Sequence, residues 1–184
     1  QGLPMHPSIF FPYFPNFVSS AEDFIESYNY WSGAIVLTSD TSSGSLINNG
    51  PLWKYKLNEF DNNHLLDGLT QLVKSYYLAG AEEIMVSASP TMHWKRNENG
   101  DIEEFLSKIL AIKNQPYRLL LGSAHQMGTA RINPNPEHGV VDLNGKVHGL
   151  ENVYIVDAST FPRCSGVNPM ISIQSMSHFL MSKI

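Results

Sequence analysis

The sequence predicts an α+β fold, and three observations support this. Residues 52–57 alternate apolar and polar side chains, which is typical of a half-exposed strand in an antiparallel sheet. Residues 65–76 carry apolar side chains at helical spacing. The apolar run at 152–156 is typical of a central strand, and Asn168 and Pro169 then form a pattern that opens a helix. The chain should therefore combine antiparallel strands and helices with a final strand and helix of different character.

Composition indicates a globular protein. The chain has 184 residues, of which 42% are hydrophobic, and this length can bury a core without disulfides. The net charge is -5 and there is no run of basic residues, which argues against nucleic-acid binding because phosphates require a basic face. No apolar stretch reaches the roughly 18 residues that a transmembrane helix needs. Cys164 is the single cysteine, so an intramolecular disulfide cannot form.

The first elements are predicted to form an antiparallel meander. Residues 31–37 are an apolar run typical of a buried strand, and residues 39–45 have the composition of a turn. A return strand at 45–48 and the strand at 52–57 complete the meander. Ahead of it, residues 9–18 carry a dense group of aromatic side chains, interrupted by prolines that prevent a regular helix. This segment either packs over the core as a lid or lines an apolar cleft.

Two helices with a short strand between them follow the meander. The first helix is capped by Asp61 or Asn62, and Gly80 stops it. Residues 84–86 form the short strand. Residues 101–113 form the second helix, since apolar side chains recur on one side of it.

The C-terminal third contains a possible ligand site. The predicted strand ends in three small or polar residues, 157–159, which leave room for a ligand. Residues 168–169 open a helix from about 170 to 182, whose first N–H groups and positive dipole end attract anions. In α/β sheets, ligands bind at the carboxyl edge of the strands. Spacing alone leaves both a ligand site and a purely structural arrangement open.

His125 is the second candidate for a functional residue. It lies in residues 122–129, among small side chains that would let a ligand approach the imidazole. A loop histidine is more often structural or solvated, so this feature alone does not establish a site. The histidines have no metal-ligand spacing, and we predict no metal site. Near the predicted site, Cys164 has no activating base in its local sequence, and Arg163 either contacts a phosphate or lies on the surface.

These segments together resemble the C-terminal region of the glucose-methanol-choline (GMC) family of flavoprotein oxidoreductases. Within that family the sequence is most similar to the cholesterol oxidase and long-chain alcohol oxidase branch, where an asparagine precedes the helix-opening proline. The resemblance is dense over residues 122–176 and looser before them. The matching segments are His125-x-x-Gly128-Thr129, residues 139–142, 146–150, 152–159, 161–162, 166–169 and 171–174.

The resemblance implies an FAD cofactor and a small-molecule alcohol substrate. In this family a base takes the hydroxyl proton while a hydride moves from the alcohol carbon to flavin N5. His125 matches the base, and an imidazole suits this role because its ordinary pKa is about 6.5. Asn168 matches the residue that hydrogen-bonds the substrate oxygen.

The resemblance also implies cofactor contacts. Asp157 and Ala158 match positions beside the ribityl and pyrophosphate portion of FAD, and Pro169 and Met170 match positions near the isoalloxazine ring, as does Asn168. The final helix would direct its N–H groups at the negative charge that reduction leaves near flavin N1 and C2=O.

One family feature is missing from the sequence. The Gly-x-Gly-x-x-Gly turn that holds the dinucleotide does not occur in it. We therefore expect residues 1–120 to be a substrate-binding portion, with an antiparallel sheet and helices. Residues 121–184 would supply the last strand and helix of an FAD-binding α/β domain. The expected partner is the N-terminal FAD-binding portion of the same enzyme, as a separate chain or a missing segment. Without it, the chain should neither hold FAD firmly nor turn over substrate.

Two rival functions remain open from the sequence. A non-catalytic interaction domain is disfavoured by the presence of both His125 and Asn168, whereas a lyase of the same family is not excluded. The asparagine branch and the aromatic segment favour a hydrophobic or bulky alcohol. Residues 182–184, Ser-Lys-Ile, resemble a peroxisomal address, although an apolar residue also ends the last helix in many members of the family.

Overall fold

The computed structural model describes residues 2, 25–47, 53–113, 115 and 117–184. The chain divides into two compact units. The first comprises Gln1–Leu37 and Leu57–Leu121, and the second comprises Thr38–Lys56 and Gly122–Ile184. In chain order, the elements are a 3-10 helix at Tyr28–Tyr30, β1 (Gly44–Leu46), β2 (Trp53–Tyr55), α1 (Glu59–Leu78), β3 (Glu83–Val86), β4 (Met92–Lys95), α2 (Ile102–Leu110), a 3-10 turn at Ala158–Thr160, and α3 (Met170–Met181).

Helix α1 begins earlier than predicted. Its cap is Asn58, whose side-chain oxygen accepts a hydrogen bond from the Asp61 N–H at 2.8 Å, so the predicted caps Asp61 and Asn62 lie inside the helix. Asparagine is as good a cap as aspartate, and the local pattern did not distinguish the two positions. Gly80, with φ +91°, ends the helix as predicted, because glycine adopts this left-handed conformation without a steric penalty.

The core of the first unit lies between the helices and a two-stranded sheet. β3 pairs antiparallel with β4, from Glu83 opposite Lys95 to Val86 opposite Met92. Helix α2, capped by Asp101, turns a continuous apolar stripe inward. The buried cluster is Leu66, Val73, Ile84, Val86, Ala88, Trp94, Ile102, Phe105, Leu106, Ile109 and Ile112.

The predictions for β3 and α2 are confirmed, but β4 was not foreseen. β4 alternates apolar and polar residues, but over only four positions, which is at the lower limit for recognising a strand from the pattern, and Trp94 is its one buried residue.

The predicted strand at residues 31–37 is wrong. In that segment only Ala34 forms a bridge, with Gly2, and its side chains are half-buried or exposed. Val36 instead packs against α1 at Gly68, where an added Cβ would lie 2.6 Å from the Val36 Cγ1 atom. Val36 thus packs its side chain against a helix and not within a sheet.

The predicted antiparallel pairing of the next two segments is confirmed in the second unit. β1 pairs with β2, with Gly44 opposite Tyr55 and Leu46 opposite Trp53. Residues 48–52 and the aromatic segment 9–18 lie outside the described residues, so the proposed lid is not tested.

The C-terminal part of the second unit consists of bridged loops and α3. The predicted strand at 152–156 is reduced to one bridge, between Tyr154 and Lys146. Its backbone pairs on one side, where the Ile155 N–H donates to the Gly145 carbonyl at 2.9 Å, and the described residues offer no strand on the other side. Helix α3 agrees with the prediction, and its Leu180 side chain is fully buried.

The α+β class with antiparallel pairs is confirmed, whereas the assignment of one part to an FAD-binding domain stays a prediction. The second unit comprises residues 38–56 and 122–184, and the division into a substrate-binding portion and an FAD-binding portion at residue 120 stays a prediction. No helix in the described part of the chain has the length and apolar character needed to span a bilayer.

Candidate functional site

The loop that carries His125 is fixed at its far end. After Gly128, which has φ +83°, the backbone runs beside the 3-10 turn. The Ala130 N–H donates to the Ser159 carbonyl at 2.9 Å, and the Ile132 N–H donates to the Thr160 carbonyl at 2.9 Å. The loop is therefore held against residues 158–160.

The imidazole of His125 is available to a ligand. His125 is half-buried, and its ring makes no hydrogen bond to any residue that the structure describes. Beside it, the Gln126 amide donates to the Ser123 carbonyl at 2.6 Å and braces the loop. A partly enclosed ring whose two nitrogens are both uncommitted is suited to exchanging a proton with a bound molecule.

Asp157 stabilises the 3-10 turn with one carboxylate oxygen. Its Oδ1 accepts hydrogen bonds from the Ser159 N–H at 2.8 Å and from the Ser159 hydroxyl. Thr160, which is buried, donates to the Asp157 carbonyl at 2.8 Å. Asp157 is exposed and Ala158 is half-buried. The second carboxylate oxygen can therefore accept hydrogen bonds from hydroxyl groups of a ligand.

The residues before α3 differ from the predicted cap arrangement. Pro169, expected at the first helical position, occupies the cap, and no side chain caps the helix. Pro169 is fully buried, whereas Asn168 and Met170 on either side are exposed. The carboxamide of Asn168 makes no hydrogen bond within the described part of the chain, so it does not serve the helix and is available for another partner.

The amino end of α3 carries free donors. The first bond of the helix joins the Ile173 N–H to the Pro169 carbonyl at 2.8 Å, which leaves the N–H groups of residues 170–172 without acceptors inside the helix. No acidic residue lies in the first turn. This end therefore attracts negative charge.

The predicted site residues all belong to the second unit. The histidine loop is bonded to the 3-10 turn, and the Ser177 hydroxyl of α3 donates to the carbonyl of Val156, two positions before that turn. No hydrogen bond joins the side chains of His125 and Asn168. Their joint action on one substrate oxygen stays a prediction.

Sequence reasoning missed a group of side-chain contacts that involve the loop preceding Asn168. The Cys164 thiol donates to Asp40 Oδ1 at 2.9 Å, and the Tyr55 hydroxyl donates to Asp40 Oδ2 at 2.5 Å. Burial, and then the hydrogen bond to Asp40, raises the pKa of the Cys164 thiol. Because 124 positions separate Asp40 from Cys164, no local pattern could have indicated this contact.

Helix α3 exposes apolar side chains that its own unit does not cover. Apolar residues lie around its whole circumference and it has no Lys, Arg, Asp or Glu, which is typical of a helix buried on all sides. Leu180 alone is fully buried among its described side chains, whereas Met170, Ile171, Phe179 and Met181 are exposed. Over the same described residues, no group of three or more His, Cys, Asp or Glu residues could hold a metal ion.

Comparisons with known proteins place this chain in a family. The family model described as GMC oxidoreductase matches residues 33–177. The chain is 30% identical to the long-chain-alcohol oxidase FAO3 of Arabidopsis thaliana over 163 residues, which are 85% of this chain and 22% of that protein. It is also 30% identical to FAO4A of the same plant over 186 residues, covering 97% of this chain and 25% of that protein. The chain thus spans about a quarter of the length of these curated relatives or less.

A solved structure shares the fold. The crystal structure of pyridoxine 4-oxidase from Mesorbium loti superposes with a TM-score of 0.51 and 18% sequence identity. The superposition covers 79% of this chain and 28% of that one. At this identity the likeness supports the fold and not the substrate.

Proposed function

This chain belongs to the GMC oxidoreductase family, and we propose that it is the C-terminal portion of an FAD-dependent enzyme that oxidises an alcohol to a carbonyl compound. One observation carries the proposal. At the positions that match the family's catalytic pair, His125 and Asn168 present side chains that no described residue engages. Groups left without protein partners in one compact unit are suited to meeting a substrate.

The residues around α3 fit a flavin cofactor. The unpaired N–H groups of residues 170–172 and the absence of acid in the first turn favour the negative charge that a reduced flavin carries. The Asp157 carboxylate would accept hydrogen bonds from hydroxyl groups of the cofactor, and the small side chain of Ala158 would leave room for its ribityl and pyrophosphate portion. When bound, FAD would accept the hydride from the alcohol carbon.

His125 would act as the general base. A ring nitrogen takes the proton of the substrate hydroxyl, and the electron pair of that O–H bond forms the carbonyl as the hydride leaves the carbon. Asn168 would donate a hydrogen bond from its amide nitrogen to the substrate oxygen and hold it towards the imidazole. The half-buried position of His125 limits competing contact with water.

The proposed partner is the N-terminal FAD-binding portion of the enzyme. Two observations support it: the relatives are about four times as long as the matched chain, and α3 exposes apolar side chains on several sides. Burying a fully exposed apolar side chain contributes about 1.5–3 kcal/mol, so covering Met170, Ile171 and Phe179 would favour association.

The proposed substrate is a hydrophobic or bulky alcohol. Two observations support this substrate class. The Arabidopsis relatives are named long-chain-alcohol oxidases, and residues 9–18 of this chain are rich in aromatic side chains.

Reconstitution tests this function. The chain is mixed with the N-terminal portion and FAD, the complex is purified, and a long-chain primary alcohol is added without oxygen. We expect a yellow complex whose flavin absorbance is bleached by the alcohol. The matched control is His125→Ala, which should stay yellow and bleach far more slowly. A colourless mixture, or a yellow complex that no alcohol bleaches, would overturn the proposal.

A further inference from the structure

We propose that Asp40, bonded to Tyr55 and Cys164, is a positioning residue that fixes the loop carrying Asn168. This inference rests on the role of Asn168 in the proposed function. Asp40 itself does not touch the substrate in this account. It acts through the chain segment that ends at the asparagine.

The contacts on Asp40 connect the hairpin to this loop. One carboxylate oxygen accepts from the Tyr55 hydroxyl, on β2, at 2.5 Å. The other accepts from the Cys164 thiol at 2.9 Å. The neighbouring Ser39 hydroxyl donates to the Cys164 carbonyl at 2.9 Å. Both the side chain and the backbone of Cys164, four positions before Asn168, are therefore hydrogen-bonded to residues 39–40.

Close packing adds a second anchor. Gly166 has φ +65°, and a Cβ added there would lie 2.8 Å from the Ser39 Cβ and 3.1 Å from the Ser39 backbone nitrogen. Glycine allows both the backbone conformation and the approach. The turn at residues 39–40 thus touches the loop two positions before Asn168.

The other side of Asn168 is fixed by α3. Pro169 is fully buried, and the Ser177 hydroxyl ties the helix to the Val156 carbonyl. The exposed residues Val167 and Asn168 lie between this fixed helix and the anchored loop. Because the asparagine side chain has no described partner of its own, these two anchors determine where its carboxamide lies.

The Cys164 thiol is better suited to donating a hydrogen bond than to acting as a nucleophile. Burial raises the pKa of Cys164, so at neutral pH the thiol keeps its proton and can donate to the Asp40 carboxylate. A deprotonated sulfur would repel that carboxylate and release the loop.

The test compares flavin reduction in the assembled enzyme. Asp40→Ala should slow anaerobic reduction by alcohol about tenfold, below the roughly hundredfold cost of a misplacement of about 1 Å, with FAD content unchanged. Cys164→Ala should act in the same direction. Cys164→Ser, which keeps a donor to Asp40, is the matched control and should restore most of the rate.

A double variant separates positioning from general damage. If Asp40 acts through Asn168, adding Asp40→Ala to Asn168→Ala should cause no further loss of rate. Multiplied losses, or a normal rate in Asp40→Ala, would overturn this inference alone. If Asn168→Ala itself reduces flavin normally, the proposed role of Asn168 fails and this inference fails with it.

Hydrogen exchange on the 184-residue chain provides a readout that needs no cofactor. Backbone amides in residues 161–170 should exchange faster in Cys164→Ala than in Cys164→Ser. Equal exchange in the two variants would overturn the inference even where the Asp40 variant fails to assemble.

Discussion

The two units of the chain use their apolar residues in opposite ways. Within the described residues, eleven apolar side chains form one buried cluster in the first unit, whereas the apolar residues buried in the second unit are Ala130, Val141, Pro169 and Leu180. Helix α2 buries a single stripe, while α3 is apolar around its circumference and leaves Ile171 67% exposed. The first unit thus has a large buried cluster, although it also exposes apolar side chains such as Leu78, whereas the described part of the second unit buries few apolar side chains and exposes most of those on α3.

The predicted site residues lie in the same unit as the exposed helix α3. His125, Asp157 and Asn168 all belong to the second unit, and so does the helix with free N–H groups at its amino end. An exposed apolar surface can bind another protein segment, and neighbouring polar groups without hydrogen-bond partners can bind a ligand. This contrast is the basis for our proposal that the second unit works together with the N-terminal FAD-binding portion.

The largest expected effect separates the proposed base, His125, from another histidine of the same unit. His125→Ala in the assembled enzyme should lower kcat by about 10²–10⁴, the usual cost of a lost general base. His138→Ala is the matched control, because His138 is exposed and lies in the same unit. Steady-state kinetics measures both variants. A near-normal kcat in His125→Ala, or an equal loss in His138→Ala, would show that the base is misassigned.

The next effect tests whether the first unit is self-sufficient. Ile109 is fully buried in its cluster, so Ile109→Ala should lower the free energy of unfolding of the chain by about 2–5 kcal/mol. The neighbouring Leu110 is 46% exposed, and Leu110→Ala should cost much less. Urea denaturation of the isolated chain measures the difference. Similar costs for the two variants would mean that the cluster does not stabilise this unit.

A smaller effect tests whether the exposed side chains of α3 form an interface. Ile171→Ser should weaken binding of the N-terminal portion by roughly 5- to 30-fold, the equivalent of about 1–2 kcal/mol of lost burial. Leu78→Ser is the control, since Leu78 is 82% exposed but belongs to the first unit. Titration calorimetry gives both dissociation constants. The comparison between units fails if Leu78→Ser weakens binding as much as Ile171→Ser does.

Local sequence pattern predicted the elements whose contacts are local. Helical spacing identified α1, α2 and α3, and proline after asparagine marked the start of α3. The strand predicted at residues 31–37 failed for a physical reason. Residues 31–37 pack on α1 through Val36, and a sequence of β-forming residues does not show which surface its side chains will meet.

The site was predictable only in part, for the same reason. His125 and Asn168 came from the family resemblance, because a loop histidine and a helix-opening asparagine are common without function. The Asp40–Cys164 contact spans 124 positions and was not foreseen. Nor does the sequence reveal that Pro169 takes the cap and leaves the Asn168 side chain unengaged.

Hydrogen exchange of this chain can be measured with and without the N-terminal FAD-binding portion. Binding of this portion and FAD should slow exchange in Met170–Met181 and around Asp157, while Glu59–Leu78 and Ile102–Leu110 should exchange as before. Protection confined to the first unit, or no change in either, would contradict the claim that the second unit is one half of a flavin site.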